Sequence, residues 1–345
     1  MKIFNLNQNQ FSDFINLSNE VFNPLSNFVN KDEFIEILEN LKFKKKYFPY
    51  PIFFGISKQK YQIYRKKKNL TLCYKSKKIA KIDNIKFYTI NKDTFGKKIF
   101  GQNFKKHPYY KKFKFENFKF LNFEIKKIYK INLNKNLFIS PKKFKKRKIK
   151  KPLACFHTRN VPHNCHKWIH EYLIQKFKSL LIQPLIGQYK KGEYKDKIIM
   201  SLNKKIINKY INKKKIHIIP FFSYPRYAGP REAALHALVR KNYGCTHIWI
   251  GRDHAGYKNF YKKFESQKFC KKNEIRLGIK IIAKKEPYYC KSKKIVVNDC
   301  TCKTNCKIKI SGSKIRRLIL KKKKIPKILM LQYLSKRLNM KSLIN

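Results

Sequence analysis

Between residues 152 and 283 the chain repeats one pattern, a short apolar run followed by a helix-spaced or polar stretch. The apolar runs are "PLACF" from 152, "LLIQPLIG" from 180, "KIHIIPFF" from 215, "THIWIG" from 246 and "GIKIIA" from 278. Strands separated by helices of this length pair in parallel and carry helices on their faces, so the expected fold is α/β with a parallel sheet. After "PLACF", Trp168, Ile169, Tyr172, Leu173 and Phe177 recur near helical spacing, which predicts an amphipathic helix. A Lys/Asn-rich helical stretch precedes "KIHIIPFF". "GPREAALHALVRKNYG" reads as a helix with Pro230 in its first turn and Gly244 at its stop. Ligands of such sheets sit outside the carboxyl ends of the strands, and both "HTRN" at 157–160 and "GRDH" at 251–254 fall at such ends.

Residues 1–150 have another texture, rich in Phe, Tyr, Asn and Lys with short alternations such as "KIDNIKFYTI", and are expected to form a β-containing domain. "SPKKFKKRKIKKP" at 140–152 reads as a linker, with a nucleic-acid patch as the second reading. The whole chain carries 84 Lys+Arg against 19 Asp+Glu, a formal charge of +65. A nucleic-acid footprint requires those cations to cluster. Here lysine is scattered, even between apolar residues in "KKFKFENFKF", and the abundant Lys, Asn, Ile, Phe and Tyr are the residues of A/T-rich codons. Coding bias is the simpler account, and nucleic acid is not expected as a partner. The start "MKIFNLNQNQFSDF" lacks an apolar signal core, and no apolar run is long enough to span a bilayer. The chain therefore reads as cytoplasmic, with no membrane association. With nine cysteines, an odd number, free thiols or a metal site are expected rather than a disulfide framework.

"TRNVPHNCH" places a guanidinium, an amide and a hydroxyl directly before a predicted helix that opens with His163 and His166, three residues apart. Helix N-termini favour anions, Arg159 can grip an oxyanion with two donors, and Thr158 and Asn160 add directional hydrogen bonds. Positioning and charge stabilisation of this kind suit a substitution at phosphate or sulfate. The alternatives are a metal pair or satisfied structural histidines. In the second stretch Gly251 permits close backbone approach, Arg252 and His254 can face phosphates, and Asp253 can orient them. Arg231 and Glu232 read most simply as a surface ion pair on a helix. His170, His217, His236 and His247 read as core or surface residues, Cys155 and Cys245 as small buried hydrophobes, and Trp168 and Trp249 as core.

Taken together, "HTRN", "HNCH", "RYAGPREA" and "GRDHAG", in this order, and "ISGSKIRRLI" at 310–319 resemble the motifs of the ATP sulfurylase (sulfate adenylyltransferase) family. The resemblance covers residues 152–319 and implies a Rossmann-like nucleotidyltransferase domain over 151–288. Before it would stand a PUA-like β-rich domain over 1–150, and after it a small C-terminal region over 289–345. It implies that sulfate attacks the α-phosphate of ATP, giving adenosine 5′-phosphosulfate and diphosphate, with Mg²⁺ accompanying ATP, in a protein whose family habit is a homo-oligomer. Thr158, Arg159 and Asn160 would form the catalytic loop. His163 and His166 would steady the triphosphate and the charge of the transition state. His157, Gly251, Arg252, Asp253, His254 and Pro287 would contact ATP, and His157, Arg159 and the backbone near Ala255 would hold sulfate.

The chain departs from the family in three places. His157 replaces a glutamine that helps hold sulfate; cationic near pH 6.5, it would make sulfate affinity depend on pH. Tyr257 and Lys258 replace a frequent Pro-Gly. Some bacterial members hold structural Zn²⁺ with three cysteines and a histidine. Here Cys290 and Cys302 match, Cys306 stands at the histidine position, and Lys293 replaces the remaining cysteine, for which Cys300 could substitute. Two other readings stay open: a basic nucleic-acid-binding or inactive descendant of the same scaffold, and a nucleotidyltransferase with another acceptor.

Overall fold

The computed structural model describes residues 2–131, 133, 138–187, 191–302 and 304–344. The N-terminal part is a mixed sheet of β1 (Ile3–Asn5), β2 (Phe54–Ile56), β3 (Leu70–Tyr74), β4 (Lys77–Tyr88) and β5 (Lys119–Ile128), in the order β1-β3-β4-β5-β2. All its pairings are antiparallel except β1 with β3. Lys75 and Ser76, both at positive φ, close the β3–β4 hairpin, because a two-residue loop of that hand matches the twist of the strands. Phe4, Phe54 and Phe120 on the strands and Phe34 and Phe95 on the helices packed against them are all wholly buried. Their rings meet edge-on or tilted at 5.3–5.8 Å, as between Phe4 and Phe54 or Phe34 and Phe120.

The expected parallel sheet is present. It consists of β6 (Leu153–Thr158), β7 (Ser179–Ile186), β8 (Ile216–Ile218), β10 (His247–Ile250) and β11 (Lys280–Ala283), ordered β8-β7-β6-β10-β11, with β9 (Phe221–Phe222) extending the line of β8 along β7. In chain order this is 3-2-1-4-5, a Rossmann-like arrangement whose strand order reverses between β6 and β10. Residues 179–186 are buried at every position, as a central strand covered on both faces must be.

The two faces carry different cores. On one, the apolar side chains of the N-terminal part run on without a break into Leu181, Leu185, Ile248 and Ile250 of the sheet. Helix α4 (Gly229–Asn242), with α5 (Glu265–Lys272) packed on it, fills this junction and is buried almost all round, as expected of a helix with no solvent face. On the other face lie α2 (Asn164–Lys176), α3 (Asp196–Ile207) and the C-terminal helix α6 (Gly312–Leu320), around Ile169, Leu173, Ile315 and Trp249. A three-stranded sheet of β12 (Tyr288–Cys290), β13 (Ile295–Val297) and β14 (Lys307–Ile308) lies beside them.

Two readings of the sequence are corrected here. Residues 140–152 are not a free linker: Ser140 caps a short helix, α1 (Pro141–Lys145), and Phe144 is 1% exposed, packed against Tyr243. The basic residues of the stretch had hidden one apolar anchor. Arg231 and Glu232 are not a surface pair, because α4 is interior. Arg231 donates to the carbonyls of Ile37, Leu38 and Pro49, tying the N-terminal part to the parallel sheet. Glu232 accepts the Arg226 and Ala228 N–H groups at 2.8 and 3.0 Å, closing the start of its own helix. Arg226 and Asp13 pair across the same junction at 2.5 Å, both nearly inaccessible. No described helix is long and apolar enough to cross a membrane.

Candidate active site

The loops that leave β6 and β10 emerge side by side, where the strand order reverses. Such a crevice is where open α/β sheets hold their ligands. The Arg159 guanidinium lies 5.0 Å over the Tyr227 ring, and its charge also reaches His157, Asp253 and His254. Residues from both loops therefore surround one space. A cleft of about 1240 Å³ between the N-terminal part and the sheet leads towards it, bordered by Tyr109, Arg226, Tyr227 and Tyr257.

The 158–160 loop is braced from within and from outside. The Thr158 hydroxyl is buried and accepts the Asn160 N–H at 3.1 Å, a local side-chain turn that fixes the backbone as it leaves the strand. Asn160 Oδ1 accepts from Arg316 of α6 at 2.6 Å.

His163 is the N-cap of α2; its Nδ1 accepts the His166 N–H at 3.4 Å, and the two rings stack with centroids 3.7 Å apart. Burial pushes the His163 ring down to about 3, and burial followed by the neighbouring His163 pushes His166 well below its ordinary value. Both are neutral at physiological pH, so they can offer N–H donors but no positive charge. His166 Nδ1 is buried with no protein partner among the described residues.

In the second loop, Arg252 pairs with Glu286 at 3.2 Å, and Ala255 holds a left-handed φ of 59°. Tyr227, beside it, has φ 54°, and the Gly229 N–H reaches the Ala255 carbonyl at 3.1 Å. Left-handed backbone at non-glycine residues is uncommon and gathers at binding sites. A Cβ at Gly256 would stand 1.9 Å from Asp253 Oδ1, so the turn at Asp253 depends on that glycine. Burial holds the Asp253 carboxyl above its ordinary value. Pro287 is buried, and its carbonyl accepts from the Cys165 thiol in the first turn of α2 at 3.0 Å.

His157 does not match the cationic group expected from sequence. Arg240, wholly buried on α4, donates to His157 Nδ1 at 2.6 Å. The Gln183 carbonyl lies 3.2 Å from the same nitrogen, but the shorter contact is to an arginine, which can only donate, and this assigns Nδ1 as the unprotonated nitrogen with the ring proton on Nε2. Burial and then the Arg240 charge push this ring well below its ordinary value. His236 and Arg240 were not assigned to the site from sequence. His236 read as core, yet its Nδ1 lies 3.1 Å from His254 Nε2 and its ring 4.3 Å from His157. One nitrogen from each of His157, His236 and His254 lies within 4.8 Å of the others, close enough for a metal. The adjoining Arg240 and Arg159 charges oppose a dication and favour an anion at this place.

The cysteine cluster is a separate centre. All nine cysteines are free thiols, and four of them converge. Sγ of Cys290 lies 3.7 Å from Cys306 and 3.9 Å from Cys300, and Cys300 lies 3.9 Å from Cys306. Cys302 completes the group, with all four sulfurs within 4.8 Å. Four sulfurs each about 2.3 Å from a tetrahedral zinc stand about 3.8 Å apart, so the spacing fits that ion. Cys300 lies within this group, whereas Lys293 contributes only its backbone N–H, 3.4 Å from the Cys290 sulfur.

Residues 139–340 match the ATP-sulfurylase family model, and residues 1–121 match a PUA-like domain. The sulfate adenylyltransferase of Ignicoccus hospitalis is 38% identical over 182 residues, 52% of this chain and 47% of that protein. The sulfate adenylyltransferase of Pyrococcus abyssi is 30% identical over 326 residues, 92% of this chain and 85% of that one. The chain thus spans about half the length of the first relative and most of the second. A hexameric APS kinase from Thiobacillus denitrificans shares the fold, with a TM-score of 0.72 at 14% identity, covering 97% of this chain and 62% of that one.

Proposed function

The chain belongs to the ATP-sulfurylase family, and on that premise we propose that it is a sulfate adenylyltransferase joining ATP and sulfate into adenosine 5′-phosphosulfate and diphosphate, in either direction. A sulfate oxygen attacks the α-phosphorus, a new P–O bond forms, and the bond to the β-phosphate oxygen breaks. The observation that carries this reading is the meeting of the 157–160 and 251–255 loops where the strand order reverses, around Arg159. Two anions must be brought together there. Arg159 would hold sulfate beside His157 and the backbone at Ala255. Gly251, Arg252, Asp253, His254 and Pro287 would line the nucleotide side. Thr158 and Asn160 would orient the reacting oxygens, while His163 and His166, both neutral, would donate to the triphosphate rather than neutralise it. Mg²⁺ bound with ATP would offset the remaining charge. Catalysis of this kind rests on positioning and on preformed electrostatics.

The test is diphosphate release from Mg-ATP with and without sulfate, run beside ATP formation from adenosine 5′-phosphosulfate and diphosphate. Sulfate-dependent release supports the reading; a folded protein that binds ATP yet turns over in neither direction contradicts it.

Cys290, Cys300, Cys302 and Cys306 would hold a structural Zn²⁺ that staples the small β12–β14 sheet. Protein purified without chelators should contain about one zinc per chain, and its removal should lower the thermal midpoint; a metal content far below that stoichiometry would mean the site is not used. Nine free thiols fit a reducing compartment, in support of a cytoplasmic location. The family habit supports a homo-oligomer, and the natural divisions of the chain fall near residues 150 and 288.

A further inference from the structure

We infer that Arg316, far from the motif loops in sequence, is a positioning residue for the catalytic loop, through which the C-terminal region completes the active site. The inference rests on the reading of residues 158–160 as that loop. Arg316 sits one turn into α6. Its Nη1 donates to Asn160 Oδ1 at 2.6 Å and lies 3.4 Å from Glu193 Oε2, with the guanidinium carbon 5.7 Å over the Tyr194 ring. Only 15% of the Arg316 side chain and 10% of that of Glu193 are exposed, so water competes little for either.

One turn earlier, Gly312 lies against the same amide. A Cβ there would stand 2.5 Å from Asn160 Oδ1 and 2.6 Å from its Cγ. Positions four apart share a helix face, so α6 offers Asn160 a flat floor and one strong donor. An asparagine amide has an accepting oxygen and a donating nitrogen. With the oxygen taken by a permanent cation, the amide cannot flip, and Nδ2 remains the group that donates to a substrate oxygen.

The clamp has further anchors. Ile315 and Ile319 bury α6 against the sheet. Glu193 is held by the C-terminal tail: the Gly192 N–H meets the Ile344 carbonyl and the Ile344 N–H the Glu193 carbonyl, both at 2.8 Å. Past the loop, the Asn164 N–H donates to the Leu329 carbonyl at 3.0 Å, and its side chain donates to those of Lys327 and Ile328 at 2.8 and 3.1 Å. Both ends of the 160–164 segment are thus gripped by residues beyond 310.

The test compares Arg316→Ala, Arg316→Lys, Asn160→Ala, the Arg316→Ala/Asn160→Ala double variant, and Arg317→Ala, whose side chain is on the exposed face of α6. R316A should lower kcat about 10- to 100-fold, the cost usual for a residue that orients a functional group, with KM for Mg-ATP within about twofold of wild type. R316K should recover part of the loss and R317A should match wild type. The double variant should be no slower than N160A, because the arginine acts through the asparagine. An R316A enzyme with wild-type kcat, or losses that add in the double variant, would overturn the inference. Amide exchange at residues 158–161, measured without substrate, should quicken in R316A and not in R317A. Unchanged exchange in R316A also overturns it. A wild-type chain inactive in both directions would sink the proposed reaction instead, and the exchange result would still decide the arginine.

Discussion

His157 opens the 157–160 motif, and its neighbours decide what it can do there. The Arg240 guanidinium fills the ring's accepting nitrogen, and burial with that charge holds the ring well below its ordinary value. The sign follows directly: a lowered value means the ring gains no proton as pH falls from 8 to 6, so it adds no charge for sulfate. The KM for sulfate should therefore be flat from about pH 6 to 8, measured at constant ionic strength. A several-fold gain in sulfate affinity at the acid end would contradict this placement of Arg240. The same residue shows where reading by motif ends. Thr158, Arg159 and Asn160 lie together in the chain, whereas Arg240 is 83 positions from its partner and has the look of any cation in the last turn of a helix.

At the level of elements, the five apolar runs are readable because strands of a covered parallel sheet are buried on both faces and so read as near-continuous apolar runs, as residues 179–186 do with only Ser179 and Gln183 as polar members. Helix α4 is less so. Its ends are marked by Pro230 and Gly244, yet nothing local reveals that Arg231 and Glu232 face inward; that follows from the N-terminal part packing on its outer side. Residues 140–152 show the same limit, since one phenylalanine among lysines carries no periodicity. Phe144 is 1% exposed, and Phe144→Ala should cost about 3–5 kcal/mol of stability, as for other large-to-small changes in a packed interior. Denaturant unfolding would show it. A loss under about 0.5 kcal/mol, the scale of exposed positions, would restore the linker reading. Helix α6 belongs with these cases: "ISGSKIRRLI" is legible as a motif, but the reach of Arg316 to Asn160 depends on how the C-terminal region folds back over the sheet.

For the whole molecule, the two cores explain why the chain acts as one unit. One joins the N-terminal part to the near face of the sheet, and the other joins the C-terminal region to the far face. The site lies between, so each part contributes: Tyr109 borders the access cleft, the sheet supplies the motif loops, and α6 braces Asn160. The +65 charge is carried mostly by exposed lysines. The cations that define the site, Arg159, Arg240 and Arg316, are all at least partly buried, while the scattered lysines form a solvated surface. In the proposed reaction Arg159, at the reversal of strand order, holds the acceptor anion for transfer to the α-phosphate. The measurement that tests it most directly is ATP formation from adenosine 5′-phosphosulfate and diphosphate by the wild-type chain and by Arg159→Ala, with ATP binding measured on both. Turnover is expected in the wild type and a loss of at least about 100-fold in the variant, the scale of removing one preformed transition-state donor, with ATP still bound. Equal turnover in the two proteins would contradict it.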